Sequence, residues 1–418
     1  MLHPSLPGRI HGVSWQDLPL AAPGLFEMLP KFHPHLTQIK KTPCRGAFNG
    51  PEFTASGGPV MRFGLMYLFS EFGNVPQAQA FSEFLEEVEY AEALGFDAVW
   101  LPEHHFSVYG MLGDTLTLAA AVAQRTRRIK IGTAVVLLPL QHPVRIAEQA
   151  ALVDVLSSGR LLLGLGRAYQ PKEIGGFGMD PAESRDRFNE GLEILRGAFT
   201  RENYAYEGKF WSARNVTLFP KPVQQPHPPL YMAAVTPPSY EVAAKAGISI
   251  LRAPRFTRMD RVAEQWEVYC GRMREHGRDP ASLDQPMLMQ TFVAESEGEA
   301  RRIAEPNAAW YHELFQKVLP GAPGQTITSG YELYDKVRQA HARVTTEDLT
   351  QWGSAFGTPE QVADRVVEYA ERAGVSHWMA EMKFGGIGHA DAMRSMELFA
   401  REVIPVVRAR LSKSPHAA

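Results

Sequence analysis

Short apolar runs of strand length recur along this chain about every 32 residues, and each is followed by a helical pattern. The first four predicted strands begin near residues 63, 96, 129 and 160. The residue types do not recur, so the spacing reflects alternating strands and helices and not a solenoid repeat. Such a chain folds around a parallel sheet, because each helix returns the chain to the same end of the sheet.

The helices between these strands have clear start and stop signals. Apolar residues at spacings of three and four predict a first helix that ends at Gly95, a residue suited to the left-handed position. Asp114 is placed to cap a second helix that runs to about Arg127. Pro143 is placed to open a third helix that runs to Leu156.

The second half of the chain completes the set of strands. Further candidates lie at residues 229–234, 248–251, 287–293 and 376–382. Eight strands, each followed by helical sequence, predict an α/β protein with a (β/α)₈ TIM barrel. The alternative is an open doubly wound sheet, but its phosphate-binding glycine turn does not follow the first strand. The long interval 294–375 predicts an insertion between strands 7 and 8.

Residues 1–60 differ in composition from the rest of the chain. They hold nine of the 31 prolines and four of the 14 histidines, and they show no sustained periodicity. We therefore expect an irregular N-terminal extension at 1–60, one barrel domain at 61–410 and a C-terminal tail at 411–418.

The composition excludes several classes of protein. A net charge of −3 argues against nucleic acid or an anionic membrane as a partner. No apolar run is long enough to span a bilayer, and the first residues lack a signal-peptide pattern. Two cysteines cannot build a disulfide framework, so we expect a reducing, cytoplasmic location.

In a TIM barrel, unusual residues at the carboxyl ends of strands are candidates for catalysis. The second predicted strand runs directly into the sequence PEHHF at residues 102–106. A histidine there can exchange a proton near neutral pH. The alternative is an ion pair between Glu103 and a barrel residue, with a solvated histidine beside it. A metal site is not expected, because adjacent histidines lack the spacing of a helical zinc motif.

Two later strand ends carry groups that bind anions. Arg167 follows the fourth strand, where its guanidinium can hold a phosphate, although a surface salt bridge is the alternative. Thr236 and Ser239 precede a predicted helix at 241–246, whose N-terminus also suits a phosphate. Capping by Ser239 is the alternative, and we expect it to explain one hydroxyl but not both. The three residues together predict a phosphate-bearing cofactor across strands three to five.

Small residues, GTAV at 132–135, end the third strand. They would let a flat group approach the backbone, although packing inside the barrel explains them more simply. The glycines at 164 and 166 begin like a dinucleotide-binding motif, but Tyr169 stands where the third glycine is required. Dinucleotide binding is therefore not predicted.

The chain resembles the bacterial luciferase-like flavin monooxygenases over residues 61–410. The segments that carry the resemblance are MRFG at 61–64, GFDAVWLPEHHF at 95–106, GMLG at 110–113, GTA at 132–134, LP at 138–139, HPVR at 142–145, SGR at 158–160, Gly164, FGTP at 356–359 and SMELF at 395–399. Their order and spacing together are specific. The pattern is closer to the luciferase α-subunit than to the β-subunit, because residues 103–105 and Arg167 are both present.

The resemblance implies an enzyme that binds reduced FMN at the carboxyl face of the barrel. Dioxygen would react with the flavin to give a peroxyflavin, which would oxygenate a small organic substrate. His104 corresponds to the family's catalytic histidine, and Ala134–Val135 to a non-prolyl cis peptide against the flavin. Arg167, Thr236 and Ser239 correspond to phosphate-binding positions. The family also suggests a homodimer, and a separate flavin reductase would supply reduced FMN, because this chain lacks an NAD-binding motif.

Three departures limit what the resemblance implies. Gly166 replaces a cysteine of the luciferase α-subunit, Val235 replaces an acidic residue, and Arg252 differs in the substrate region. A long-chain aldehyde substrate and light emission are therefore not assumed. Two other functions stay open: a deazaflavin-dependent oxidoreductase that transfers hydride without oxygen, and a non-catalytic flavin-binding subunit.

Overall fold

The computed structural model describes residues 60–70, 75–254, 257–321 and 352–413, with single positions between 331 and 348. Residues 1–59 of the predicted extension and 414–418 of the predicted tail lie outside this part of the chain. The domain boundaries therefore stay predictions.

The described chain contains twelve strands. They are β1 (Arg62–Met66), β2 (Ala98–Leu101), β3 (Lys130–Thr133), β4 (Val136–Leu137), β5 (Leu161–Gly166), β6 (Tyr204–Glu207), β7 (Ser212–Val216), β8 (Leu230–Ala233), β9 (Ser249–Leu251), β10 (Pro286–Val293), β11 (Ser354–Gly357) and β12 (His377–Glu381). All eight predicted strands are present among them.

Those eight strands form a closed barrel. Parallel ladders join β1, β2, β3, β5, β8 and β9 in that order, and further ladders join β10 to β12 and β12 to β1. The ring closes between β9 and β10, where Arg252 N donates to Pro286 O and Leu288 N donates to Arg252 O. The predicted (β/α)₈ TIM barrel is confirmed.

Three strands lie outside the prediction, and β4 is a separate strand within the third predicted one. β4 continues the third predicted strand after a break at residues 134–135 and pairs with β5. β11 pairs with the second half of β10, which extends beyond its pairing with β12. β6 and β7 form an antiparallel hairpin in the long interval between β5 and β8. The interval between β10 and β12 contains β11 and a helix on each side of it. It is therefore longer than a single connecting helix, which agrees with the predicted insertion.

Helices surround the barrel. They are α1 (Gln77–Leu94), α2 (Thr115–Arg125), α3 (Pro143–Leu156), α4 (Pro171–Gly176), α5 (Ser184–Thr200), α6 (Pro237–Ala246), α7 (Met259–Glu275), α8 (Glu297–Val318), α9 (Pro359–Ala373), α10 (His389–Leu398) and α11 (Ile404–Leu411). The predicted signals lie at their ends: Gly95 has a φ of 89°, and Asp114 accepts from Thr117 N at 3.0 Å. No helix in the described ranges is both long and apolar enough to cross a membrane.

The interior of the barrel explains one of the glycines at the end of β3. Trp100 is fully buried there against Tyr231, with their ring centroids 5.2 Å apart. A Cβ on Gly132 would lie 2.1 Å from the Trp100 indole, so only glycine fits beside this side chain. Gly132 thus serves barrel packing, the simpler of the two explanations given by the sequence.

Candidate active site

A cavity of about 590 Å³ lies at the carboxyl ends of the barrel strands. Its lining contains every site residue that the sequence predicts, namely His104, Ala134, Val135, Arg167, Thr236 and Ser239. These residues come from four different strand ends, and the closed barrel brings them together. Their chemical roles stay predictions.

His104 lies against a buried carboxylate. Its Nδ1 is 2.7 Å from Glu173 Oε1, and Glu173 lies in α4 with its side chain fully buried. The imidazole also lies between two tyrosine rings, with centroid distances of 5.1 Å to Tyr109 and 5.9 Å to Tyr169. Only 11% of the His104 side chain is exposed. Its ring is therefore held on several sides at the cavity wall.

The neighbouring histidine has a carboxylate of its own. His105 Nε2 is 3.2 Å from Glu103 Oε1, which also accepts from Leu137 N at 3.3 Å. Burial raises the pKa of Glu103, and the interaction with His105 opposes this shift. The alternative interpretation of PEHHF places the ion pair between Glu103 and a barrel residue and the histidine in solvent. In the structure the partner of Glu103 is His105, whose side chain is only 10% exposed, and His104 lines the cavity.

The peptide bond between Ala134 and Val135 is cis and separates β3 from β4. Gly166 lies beside it, and a Cβ there would be 2.2 Å from Val135 Cγ2. Any larger residue at position 166 would displace Val135. This contact gives a physical reason for glycine where the luciferase α-subunit has cysteine.

Two of the three arginines that line the cavity, Arg167 and Arg185, lie near each other. The Arg167 guanidinium lies 4.8 Å from the centroid of the Tyr331 ring. Arg185, in the first turns of α5, also lines the cavity. Burial lowers the pKa of Arg185, and the charge of Arg167 lowers it further. Within the described residues Arg185 forms no ion pair, so its guanidinium can accept an anionic ligand beside Arg167.

Thr236 and Ser239 form a capping box at the start of α6. Thr236 Oγ1 accepts from Ser239 N at 3.4 Å, and Ser239 Oγ accepts from Thr236 N at 3.0 Å. The helix begins at Pro237 and not near residue 241, and Thr236 is its N-cap. The expectation that capping would explain only one hydroxyl is wrong, because the cap is reciprocal. Pro237 and Pro238 have no N–H groups to offer a ligand.

Sequence reasoning missed Glu173, Gln170 and Arg185. All three lie in the interval between β5 and β8, where no regular spacing of strands assigns a residue to a strand end. The only local signal is Pro171, which predicts the start of a helix but not its direction. Contacts with His104 and Arg167 reveal these residues only once the chain has folded.

Comparisons with known proteins identify the family of this chain. The family model of luciferase-like monooxygenases matches residues 61–377, which is more than half of the chain. The alkanal monooxygenase alpha chain of the Kryptophanaron alfredi symbiont is 25% identical, over 83% of this chain and 99% of its own. The oxygenase component of a flavin-dependent trigonelline monooxygenase from Acinetobacter baylyi is 28% identical, over 79% of this chain and 90% of its own.

A solved structure shows the same likeness. The crystal structure of the monooxygenase RslO1 from Streptomyces bottropensis superposes with a TM-score of 0.71 at 29% sequence identity. The superposition covers 82% of this chain and 99% of RslO1. By its sequence and its fold, this chain belongs to the luciferase-like monooxygenase family.

Proposed function

We propose that this protein is an FMN-dependent monooxygenase that uses reduced FMN and dioxygen to oxygenate a small organic substrate. The observation that carries the proposal is the meeting of His104 with Arg167 and Arg185 in one cavity. The relative named as a flavin-dependent monooxygenase supports the cofactor class, and the alkanal monooxygenase supports the type of reaction.

The cavity residues fit a flavin phosphate. A phosphate monoester carries up to two negative charges near neutral pH, and guanidinium groups bind it with paired hydrogen bonds. Arg167 and Arg185 would hold this group. Thr236 and Ser239 would contribute less, because their hydroxyls already bond to each other at 3.0 Å within the capping box. Ala134 and Val135 would contact the flavin ring system.

Reduced FMN, when bound, supplies two electrons for the reduction of dioxygen. The protein's own part is to move a proton and to exclude water. His104 Nε2, the ring nitrogen away from Glu173, would exchange the proton with the reacting groups. Tyr109, Tyr169 and Tyr334 line the cavity and would limit the entry of water.

Reduced FMN would come from a separate reductase. The trigonelline monooxygenase relative is named as an oxygenase component, which supports a second protein as the source of reduced flavin. The two cysteines, of which Cys270 is buried and free, support a cytoplasmic location.

We also propose a homodimer. Leu152, Val155 and Leu156 lie on one side of α3, and between 38% and 48% of each is exposed. A second copy of the chain would cover this apolar surface. Leu152→Glu should then raise the fraction of monomer measured by light scattering; a wild-type protein that is monomeric at every concentration would contradict the dimer.

Flavin titration tests the proposed cofactor. FMN should bind the purified full chain more tightly than riboflavin, which lacks the phosphate, and more tightly than a deazaflavin. His104→Ala should keep the affinity for FMN but slow the reaction of bound reduced FMN with dioxygen. Tighter binding of the deazaflavin would favour the hydride-transfer alternative. Binding without any reaction with dioxygen would favour a non-catalytic flavin-binding subunit.

A further inference from the structure

We propose that Glu173 is a positioning residue, whose buried carboxylate keeps the proton of the neutral His104 ring on Nδ1 and presents Nε2 to the cavity. This inference rests on the acid–base role of His104 in the proposed function. It adds a group that does not touch the reacting atoms and acts only through the histidine.

The hydrogen bonds of Glu173 Oε1 define the arrangement. This oxygen accepts from the backbone N–H of His105 at 3.1 Å, and it lies 2.7 Å from His104 Nδ1. A backbone N–H can only donate, so Oε1 acts as an acceptor there. The distance to Nδ1 is typical of a charge-assisted hydrogen bond in which the ring nitrogen donates. These two hydrogen bonds to Oε1 hold the Glu173 carboxylate beside the peptide bond between His104 and His105.

Burial strengthens this arrangement. The Glu173 side chain is fully buried, and its Oε2 has no hydrogen-bond partner in the described part of the chain. A carboxylate with so few partners depends strongly on the bonds that it does make. Tyr109 and Tyr169 pack against the His104 ring and restrict its rotation. The ring therefore stays directed at Glu173.

Gln170 lies at the same ring nitrogen. Its side-chain nitrogen is 2.8 Å from His104 Nδ1, and its Oε1 is buried without a partner. An Nδ1 that carries a proton cannot accept from this amide. A half-turn of the amide group exchanges its oxygen and nitrogen, which gives the Nδ1 proton a second acceptor. Gln170 and Glu173 stand three residues apart at the start of α4, on the same side of the helix.

The result is a ring with one free nitrogen. Nδ1 is committed to Glu173, whereas Nε2 has no protein partner among the described residues. In the neutral ring, Nε2 is then the atom that accepts a proton. Once it has done so, the Nδ1–H group still donates to Glu173.

The chain offers a matched control. Glu103, which also lines the cavity, bonds to Nε2 of the next histidine, His105, which does not. Glu103→Gln therefore removes one negative charge from a carboxylate–histidine pair close to His104, while the amide oxygen still accepts from Leu137 N. Glu173→Gln makes the same change in the pair that contains His104.

The first test needs no flavin. The full chain, labelled with ¹⁵N-histidine and free of flavin, is observed by NMR, and the spectrum of His104→Ala identifies the His104 signals. We expect neutral His104 to carry its proton on Nδ1, and Glu103→Gln to leave these signals unchanged. In Glu173→Leu the proton should move towards Nε2. A wild-type His104 with its proton on Nε2 would overturn the proposal, whether or not the leucine variant folds.

The second test follows the oxidation of bound reduced FMN by dioxygen in a single turnover. Without a substrate, reduced FMN and dioxygen give oxidised FMN and hydrogen peroxide. His104→Ala should slow this reaction about 10²-fold and Glu173→Gln at least about tenfold, at unchanged FMN affinity. The double variant should be no slower than His104→Ala.

The outcomes separate the two proposals. If Glu173→Gln reacts like the wild type while His104→Ala is slow, the positioning role of Glu173 is wrong and the proposed function stands. If His104→Ala itself reacts at the wild-type rate, the acid–base role of His104 is wrong. An equal loss of FMN affinity and rate in Glu173→Gln would show a merely structural role.

Discussion

At the scale of single residues, Arg167 and Arg185 are two of the three arginines that line the cavity, and their charges interact. Two guanidinium groups near each other repel, and burial adds to the free-energy cost of the charge on Arg185, as the direction of its pKa shift shows. A bound anionic ligand would offset both the repulsion between the two guanidinium groups and the cost of burying the charge of Arg185. The pair therefore indicates a binding site more strongly than either arginine would alone.

Arg185→Ala should weaken the binding of FMN by about 10- to 100-fold, because a hydrogen bond to a charged group contributes about 1.5–3 kcal/mol. Riboflavin, which lacks the phosphate, should bind with unchanged affinity. Fluorescence titration with both flavins measures the difference. Arg187→Ala is the control, because Arg187 stands on the same helix but stacks on Phe210 and pairs with Glu183. Equal losses for FMN and riboflavin would contradict the assignment.

The sequence predicts the position of some residues of this site but not of others. His104 and Arg167 follow predicted strands directly, and barrel geometry places such residues at the active face. Arg185 reaches the cavity from α5, and Glu173 reaches the His104 ring from α4. Both helices lie in an irregular interval. Their direction depends on tertiary packing that no local spacing records.

At the scale of elements, the capping box of α6 determines where that helix begins. Thr236 and Ser239 bond reciprocally across the first turn, which places Pro237 and Pro238 at its first two positions.

The strands differ in how well they can be predicted. Apolar runs identify the barrel strands, whereas β6 (YAYE), β7 (SARNV) and β11 (SAFG) are short or partly polar. They gain their structure from pairing and not from composition.

Thr236→Ala should lower the free energy of unfolding by about 1 kcal/mol, because it removes the side-chain acceptor of the cap. Thr236→Ser keeps an oxygen in that place and should lie within about 0.5 kcal/mol of wild type. Chemical denaturation of the flavin-free chain measures both values. If alanine and serine have equal effects, the capping box does not stabilise α6.

At the scale of the whole molecule, a polar cluster joins the amino ends of the strands, opposite the cavity. Asp284 Oδ2 lies 2.9 Å from His377 Nδ1, 3.1 Å from the Tyr231 hydroxyl and 3.3 Å from Arg62 Nη1. Burial alone would raise the pKa of Asp284, but the interaction with His377, followed by that with Arg62 and Tyr231, lowers it to about 2. The cluster ties β1, β8 and β12 to the start of β10.

This pKa gives the barrel a defined pH dependence. The ordinary value of an aspartate is 3.8, so ionised Asp284 stabilises the fold fully above about pH 4. That contribution should be lost as the pH falls from about 4 to about 2. Asp284→Asn should destabilise the neutral protein by about 3 kcal/mol and make the decline between pH 4 and 2 less steep. Denaturation midpoints across this range measure both effects, with the exposed Asp186→Asn as control; an unchanged slope in Asp284→Asn would contradict the prediction.

Removal of residues 1–60 tests the predicted division of the chain. All strands of the barrel begin after Met61, so a chain that starts there should fold and bind FMN with the affinity of the full chain. Circular dichroism and flavin titration measure the two properties. A shortened chain that does not fold would show that the extension belongs to the barrel domain.

The fate of molecular oxygen tests the central claim most directly. The full chain is incubated under ¹⁸O₂ with reduced FMN from a separate reductase and with a panel of small ketones, aldehydes and aromatic compounds. Mass spectrometry then measures the ¹⁸O content of the products. The account predicts that one ¹⁸O atom enters the product of an accepted compound, and that His104→Ala forms it more slowly. A product formed without label, in the absence of air and with a reduced deazaflavin as donor, would contradict it.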